Sequence, residues 1–426
     1  MEAYLVIAVM VCMIIAFMLN KWPFGLITMT CCIVLGVTGV LGPDETFAGF
    51  CNPFVVMLAG AFVVTNALAK TSFIKNLQNW IMRLQNGKSG IRLMAIFVFS
   101  IIVLATFIPG PAMLAIIIVM ARNLSDEGEV NPARVIFPAA MLTTIWNARI
   151  PFGLGASNFA ILNGFLEPYG EQYTITMFDT MMAGLIPGLT LALYIIFGYK
   201  LLPHKAIDRT GLEEEVQQGS KEVPVMSKRD EIITYVAFVV MILFMILNQW
   251  TGSLLYIGPA LCAVVLVFLK VITVEDVKKG ITVDLIFMLA GIFTLTNALS
   301  STGAGEMVGN AILSLFGGAT TQLGLVALFS GITVVLTNFM SNNATMYSVI
   351  PVAITTALAA GLNPIPAVVA VDVASKCASL LPCSSGEAAM CFGASGYTPK
   401  DTWKFVLPGA IITYVGTVAG SLLFFS

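Results

Sequence analysis

Two cations in this chain of 426 residues stand where cations are expensive. Arg149 and Lys376 both fall inside long apolar segments. A charge at membrane depth costs about 2.5–3.5 kcal/mol on insertion scales, so such a residue faces a cavity or a partner. The chemistry open to both is electrostatic attraction of an anion toward the centre of a membrane protein. Each also has a structural reading. Arg149 has no carboxylate within a helical turn, and it either joins a site or bonds carbonyls freed by a nearby helix break. Lys376 follows Asp372 by four residues, so an ion pair on one helical face competes with anion binding. Glu387 offers a second partner.

Groups able to bind ions and anions cluster around these charges. In the first half they are Gly110, Asn147, Gly153, Ser157 and Asn158. In the second half they are Ser341, Asn342, Asn343, Ser384, Ser385 and Gly386. Hard cations take oxygen ligands, which carbonyls and Ser, Thr and Asn side chains supply. Freed helix N-termini present amides and a positive dipole end to anions. This reading makes Ser341, Asn342, Asn343, Gly110, Asn147, Gly153, Ser384 and Gly386 candidate sodium ligands. Ser341, Asn342, Asn343, Ser157, Asn158, Arg149, Ser384 and Ser385 are the candidate substrate contacts.

Broken elements must position these groups. Pro109-Gly110-Pro111 joins apolar arms 93–108 and 112–121, too short and too broken for two ordinary spans, which predicts a re-entrant hairpin. A helix over 133–166 is interrupted at Pro151–Gly155. In the second half a hairpin over 321–360 has its tip at Ser341-Asn342-Asn343, and a helix over 365–395 is interrupted at Pro382–Gly386. Unpaired backbone survives in a bilayer only where protein or a water-filled cavity satisfies it, so each tip is expected to meet a break near the midplane.

These elements occur twice because the chain repeats. Residues 57–68 read MLAGAFVVTNAL and residues 288–299 read MLAGIFTLTNAL, and the echo extends to Gly49 with Gly280 and Pro151 with Pro382. Residues 1–203 and 232–426 form the two copies, separated by the polar stretch 204–231, read as a cytoplasmic linker. Each copy crosses five times, because a re-entrant hairpin returns to its side of entry. An odd number of crossings inverts the second copy relative to the first. With the N-terminus outside, 19 of the 21 Lys and Arg residues fall in inner loops, Arg149 and Lys376 being the other two. The positive-inside rule supports that orientation. The expected fold is therefore an all-α polytopic membrane protein of two inverted repeats, with five spans, one re-entrant hairpin and one broken helix in each. An amphipathic connector, Ser72–Gln85, precedes the first hairpin, with Phe73, Leu77, Trp80, Ile81 and Leu84 at helical spacing.

Composition excludes several classes. The chain is 58% hydrophobic and 10% charged, against about 25% charged in soluble proteins. Eight cysteines, mostly in apolar segments, show no zinc spacing and read as packing residues. The single histidine, His204, lies in the linker, away from any proton path through the membrane. No GxxxxGK[ST] or HExxH is present, and Asp372 has no second aspartate at depth for an intramembrane protease. No enzyme activity, nucleotide, prosthetic group or nucleic-acid partner is expected. The first apolar stretch lacks a basic leader and a cleavage site, and is read as a retained span in a multi-pass protein of the plasma membrane.

At the second tip and break, SNNATMYSVIPVA (341–353) and LLPCSSGEAAMCFGASGY (380–397) resemble the divalent anion:sodium symporter family of the ion transporter superfamily. That family carries Ser-Asn-Thr at each hairpin tip and a Gly/Pro-rich break in the following helix. The resemblance implies that Ser341, Asn342 and Asn343 serve one sodium site and touch a substrate carboxylate. It also implies a homodimer and elevator-like alternating access. The chain departs from the family at IPGPAM (108–113), where the first Ser-Asn-Thr would stand, at Asn343 in place of threonine, and at Pro-Cys-Ser-Ser-Gly-Glu in the second break. The resulting expectation is a secondary transporter of small organic di-anions coupled to sodium. The alternative is an exchanger, or a carrier of another anion such as citrate or sulfate, on the same fold.

Overall fold

The computed structural model describes residues 1–19, 21–85, 89–121, 124–147, 149–151, 155, 158–207, 226–246, 254–281, 283–315, 321–382 and 384–425. Gly153 and Ser157, the basic residues Lys88 and Arg122, and linker residues 208–225 lie outside these. Every regular element among the described residues is a helix.

The first half opens with α1 (Glu2–Leu19), α2 (Phe24–Val37) and α3 (Pro53–Ala69). Proline at the first helical position has its φ already set, and Asn52 caps α3 by accepting from the Phe54 amide at 2.9 Å. The connector α4 (Ser72–Gln85) lays Phe73 edge-on to Phe107 at 5.1 Å and Trp80 to Phe99 at 6.2 Å. The side chains of Ile81 and Leu84 are outside the described set. Both phenylalanines belong to α5 (Gly90–Phe107), which passes through Ile108-Pro109 into α6 (Gly110–Ala121). α5 is long and apolar enough to cross a bilayer by length and composition, as are α1 and three later helices. The longer helices that follow are α7 (Pro132–Trp146), α8 (Asn158–Leu166) and α9 (Asp179–Gly198).

The second half contributes α10 (Lys228–Ile246), α11 (Leu254–Phe268), the short α12 (Val274–Gly280) and α13 (Val283–Ser301). α14 (Ala304–Leu315), α15 (Gln322–Leu336) and α16 (Asn342–Ala359) come next, then α17 (Ile365–Ser375), α18 (Gly386–Ser395) and α19 (Pro399–Phe425). Ser385 caps α18, its hydroxyl accepting from the Ala388 amide at 3.0 Å.

Both broken helices stop sooner than their prolines suggest. α7 ends at Trp146, before Pro151, and α17 ends at Ser375, before Pro382. Arg149 and Lys376 therefore lie within the breaks, with Lys376 the C-cap of α17. The helices can end early because side chains bond the carbonyls released there, as described below.

The repeated glycines explain the repeated sequence. A Cβ on Gly60 of α3 would lie 2.4 Å from the Ala260 nitrogen of α11, and one on Gly291 of α13 would lie 2.6 Å from Thr28 of α2. Close helix crossings need small residues at the contact. The Gly49 amide donates to Thr294 Oγ1 at 3.1 Å, and Asn66 Nδ2 donates to the Gly280 carbonyl at 3.2 Å. Each echoed glycine thus packs against the other half of the chain. One apolar core gathers α1–α3, α8, α10, α11 and α13–α17, and a second gathers α5–α7, α9, α18 and α19. The candidate site draws on helices from both cores.

Candidate functional site

The turn between α15 and α16 is stitched to the break after α17. Thr337 Oγ1 donates to the Ser375 carbonyl at 2.5 Å and lies 3.1 Å from Asn342 Oδ1. Asn338 donates to the Cys377 carbonyl at 3.3 Å and accepts from the Leu380 amide at 3.0 Å. These two side chains satisfy backbone groups that the end of α17 leaves unpaired. Ser341 then caps α16, accepting from the Ala344 amide at 3.2 Å. With its backbone held on both sides, the Ser341–Asn343 turn lies against a cavity of about 400 Å³.

In the first half, Arg149 folds back on the end of α7. Its Nε donates to the Ile145 carbonyl at 3.2 Å, and its Nη1 donates to Asp372 Oδ2 at 2.6 Å. The two side chains are 1% and 0% exposed. Asn158, the first residue of α8, donates through Nδ2 to the same carboxylate oxygen at 3.1 Å. Asp372 of α17 therefore holds both sides of the first break. The ion pair that forms joins Asp372 to Arg149, not to Lys376 four residues on.

The cavity takes its wall from both halves. Asn147 and Asn158 line it with Pro109 and Thr144; Ser341, Asn342, Asn343, Tyr347, Lys376, Ser385, Gly386 and Glu387 line it from the second half. Phe62, Ile161, Leu285 and Met346 supply apolar patches. Among the described residues no carboxylate lies within 4 Å of the Lys376 ammonium. The lysine is thus the cation presented to the cavity, while the Arg149 charge is matched by Asp372. Amides and hydroxyls around Lys376 suit a carboxylate-bearing anion, and the carbonyls and amide oxygens suit a hard cation.

Several predicted residues take other places. Arg149 and Asp372 are packed behind the wall. Ser384 is fully buried and donates its hydroxyl to the Leu381 carbonyl at 2.7 Å. Gly110 sits at the first tip, where a Cβ would lie 2.3 Å from Glu387 Oε1. Gly153 and Ser157 are outside the described residues. Reading the sequence missed the roles of Thr337 and Asn338. Two polar residues closing an otherwise apolar arm just before Ser341 were the available signal. It also missed Tyr347 and Phe62, which periodicity alone cannot distinguish from core.

Known proteins of similar sequence or fold are transporters. The CitMHS family, described as citrate transporter, matches residues 14–373. A protein of Staphylococcus saprophyticus named sodium-dependent dicarboxylate transporter SdcS is 20% identical over 395 residues, covering 86% of this chain and 76% of that protein. A Bacillus subtilis protein named putative malate transporter YflS is 24% identical, covering 94% and 86%. Among solved structures, the Alcanivorax borkumensis YdaH transporter has a TM-score of 0.62 at 12% identity, covering 94% of this chain and 96% of its own. Neisseria gonorrhoeae MtrF, described within a class of antimetabolite efflux pumps, has a TM-score of 0.60 at 13% identity, covering 99% and 94%. These two likenesses show a fold shared with membrane transporters. The family match spans most of the chain, its apolar helices make it an integral membrane protein, and the named relatives accord with the divalent anion:sodium symporter resemblance: the chain belongs to the CitMHS citrate transporter family.

Proposed function

We propose that this protein is a secondary active transporter of small organic di-anions, coupled to sodium and working by elevator-type alternating access. The observation that carries the proposal is the cavity: Lys376, free of any ion pair among the described residues, faces it beside the Ser341–Asn343 turn. Membrane depth makes an unmatched cation costly, and an anionic substrate offsets that cost. The names of the Staphylococcus and Bacillus relatives support dicarboxylates as the substrate class and sodium as the driving ion. Asn342, Asn343 and Ser341 are assigned to a sodium site that also touches the substrate. Asn147 at the first break and Gly386 at the second are assigned to cation binding, and Asn158 and Ser385 to the substrate.

In this reading the two halves are inverted repeats with the N-terminus outside. Residues 1–203 and 232–426 are the copies and 204–231 the cytoplasmic linker. The reciprocal packing of Gly60 and Gly291 supports it, because each meets the second long helix of the other half. The functional unit is a homodimer, and the work is transport without catalysis. A second reading keeps the fold with altered or lost sodium coupling, making an exchanger or a carrier of another anion such as citrate or sulfate. The first tip favours it, since Pro109-Gly110-Pro111 has no side-chain oxygen.

Thermal stability of the purified protein against succinate, malate, 2-oxoglutarate, citrate and sulfate, each with sodium or potassium, tests the assignment. A ligand at a hundredfold excess over its Kd stabilises the folded form by about 2.7 kcal/mol. Stabilisation by a dicarboxylate in sodium alone is the expected result. An anion effect indifferent to the cation removes the sodium assignment and favours the second reading.

A further inference from the structure

Glu387 is a carboxylate in a cavity that must accept anions. It sits in the first turn of the ten-residue α18, where the Ser385 side chain caps one amide, that of Ala388. No hydrogen bond or ion pair within 4 Å engages the carboxylate among the described residues. Its side chain reaches the tip of the first hairpin. The Cβ that Gly110 lacks would lie 2.3 Å from Glu387 Oε1, so glycine at that tip leaves room for the carboxylate. Lys376 lines the same cavity.

The charges around the two breaks form a closed set. Arg149 and Asp372 cancel each other as a buried pair. Among the described residues, Lys376 and Glu387 are the two charges that line the cavity itself. With Glu387 ionised the four sum to zero; without it the empty cavity carries a net positive charge. In a carrier that binds an anion on one side and releases it on the other, the loaded site brings its own negative charge. The empty site must return without one. An uncompensated charge moved through the membrane raises the barrier to that return.

We infer that Glu387 is the counter-charge to Lys376 across the cavity, without direct ion-pair contact, and that this neutralisation lets the empty carrier return and so sustains net uptake. The inference rests on the proposed transport function and adds a role for a carboxylate that anion binding does not require. When substrate enters, its carboxylates add to the neutralisation of Lys376, while Glu387 stays at the first tip beside Gly110. Exchange of substrate for substrate never needs the empty return, so it does not need Glu387.

The test is transport in proteoliposomes with a sodium gradient, using labelled succinate, malate and citrate in turn. Net uptake into vesicles without internal anion is compared with exchange into vesicles preloaded with the same anion. In Glu387→Gln the ratio of net uptake to exchange is expected to fall by about tenfold or more, the rate equivalent of an unmatched membrane charge. Glu387→Asp, which keeps the charge, is expected to hold the ratio near that of the unsubstituted protein. A Glu387→Gln protein that folds but keeps the ratio, or loses exchange along with net uptake, overturns the inference. If Glu387→Gln does not fold, the unsubstituted protein decides: vigorous exchange with no net uptake means the empty carrier does not return, which overturns it too. Failure of the transport reading is distinct, since the unsubstituted protein would then move none of the three anions in either assay.

Discussion

Arg149 and Asp372 lie 223 residues apart in sequence, and the arginine Nη1 donates to the aspartate Oδ2 across 2.6 Å with both side chains sealed from solvent. One residue comes from the break after α7 and the other from the last turns of α17. The pair therefore ties the two interrupted helices together directly behind the cavity wall. Asn158 joins it through the same oxygen, so the start of α8 is fixed by the same carboxylate.

Removing one partner leaves a buried charge unmatched, which costs about 3–5 kcal/mol. Arg149→Gln and Asp372→Asn are each expected to lower the melting temperature of the purified protein steeply, and the double variant less than the two effects added. A double-mutant cycle on thermal unfolding measures the coupling. If Arg149→Gln melts normally and instead weakens anion binding alone, the arginine belongs to the site and the pair is incidental.

Asn342 faces the cavity while its Oδ1 rests 3.1 Å from the Thr337 hydroxyl. Asn342→Ala is expected to abolish sodium-dependent uptake with the fold intact, because Ser341 still caps α16. Uptake assayed in sodium and in potassium, with size-exclusion chromatography as the folding control, checks this. Unchanged sodium-dependent uptake would remove Asn342 from the cation site.

Lys376→Met replaces the cavity's unpaired cation with an apolar side chain of similar length. A hydrogen bond to a charged partner contributes about 1.5–3 kcal/mol, so the anion KM is expected to rise by roughly tenfold or more. The sodium dependence of whatever uptake remains should keep its shape. An unaltered KM would place the substrate elsewhere in the cavity.

Away from the site, Lys70 at the end of α3 pairs with Asp276 of α12. Hydrogen bonding from the lysine ammonium, then from the Thr273 amide, holds the Asp276 carboxyl down at about 2. A lowered pKa contributes stability that is present above the unfolded-state value of about 3.9 and is lost as pH falls through about 2. The side chains remain 35% and 27% exposed, so the pair contributes less than about 1 kcal/mol. Asp276→Asn should be slightly less stable at neutral pH, with the gap closing as pH falls from about 4 toward 2. Melting curves across that range follow it; a gap that widens on acidification would show that the pair is not responsible.

Local chemistry in the sequence determined the class, the helices, and the places where helices stop. Apolar length and the scarcity of charge specify membrane spans, while Pro, Gly and capping Asn and Ser residues mark their ends. Ser341-Asn342-Asn343, Asn147, Asn158 and Lys376 were legible as site candidates because polar groups are costly in apolar segments, and the structure sets all of them on one cavity. The repeat was legible because Gly60 and Gly291 each need a side-chain-free crossing, a demand that one residue meets. Which charge meets which was decided only by the tertiary structure. Helical spacing favoured Asp372 with Lys376, yet α17 ends at Ser375, and packing of the two broken helices delivers Arg149 to Asp372 instead. The reach of Glu387 to Gly110 has the same origin. Periodicity describes neighbours within one helix, whereas a cavity between two halves of a chain is set by how those halves pack.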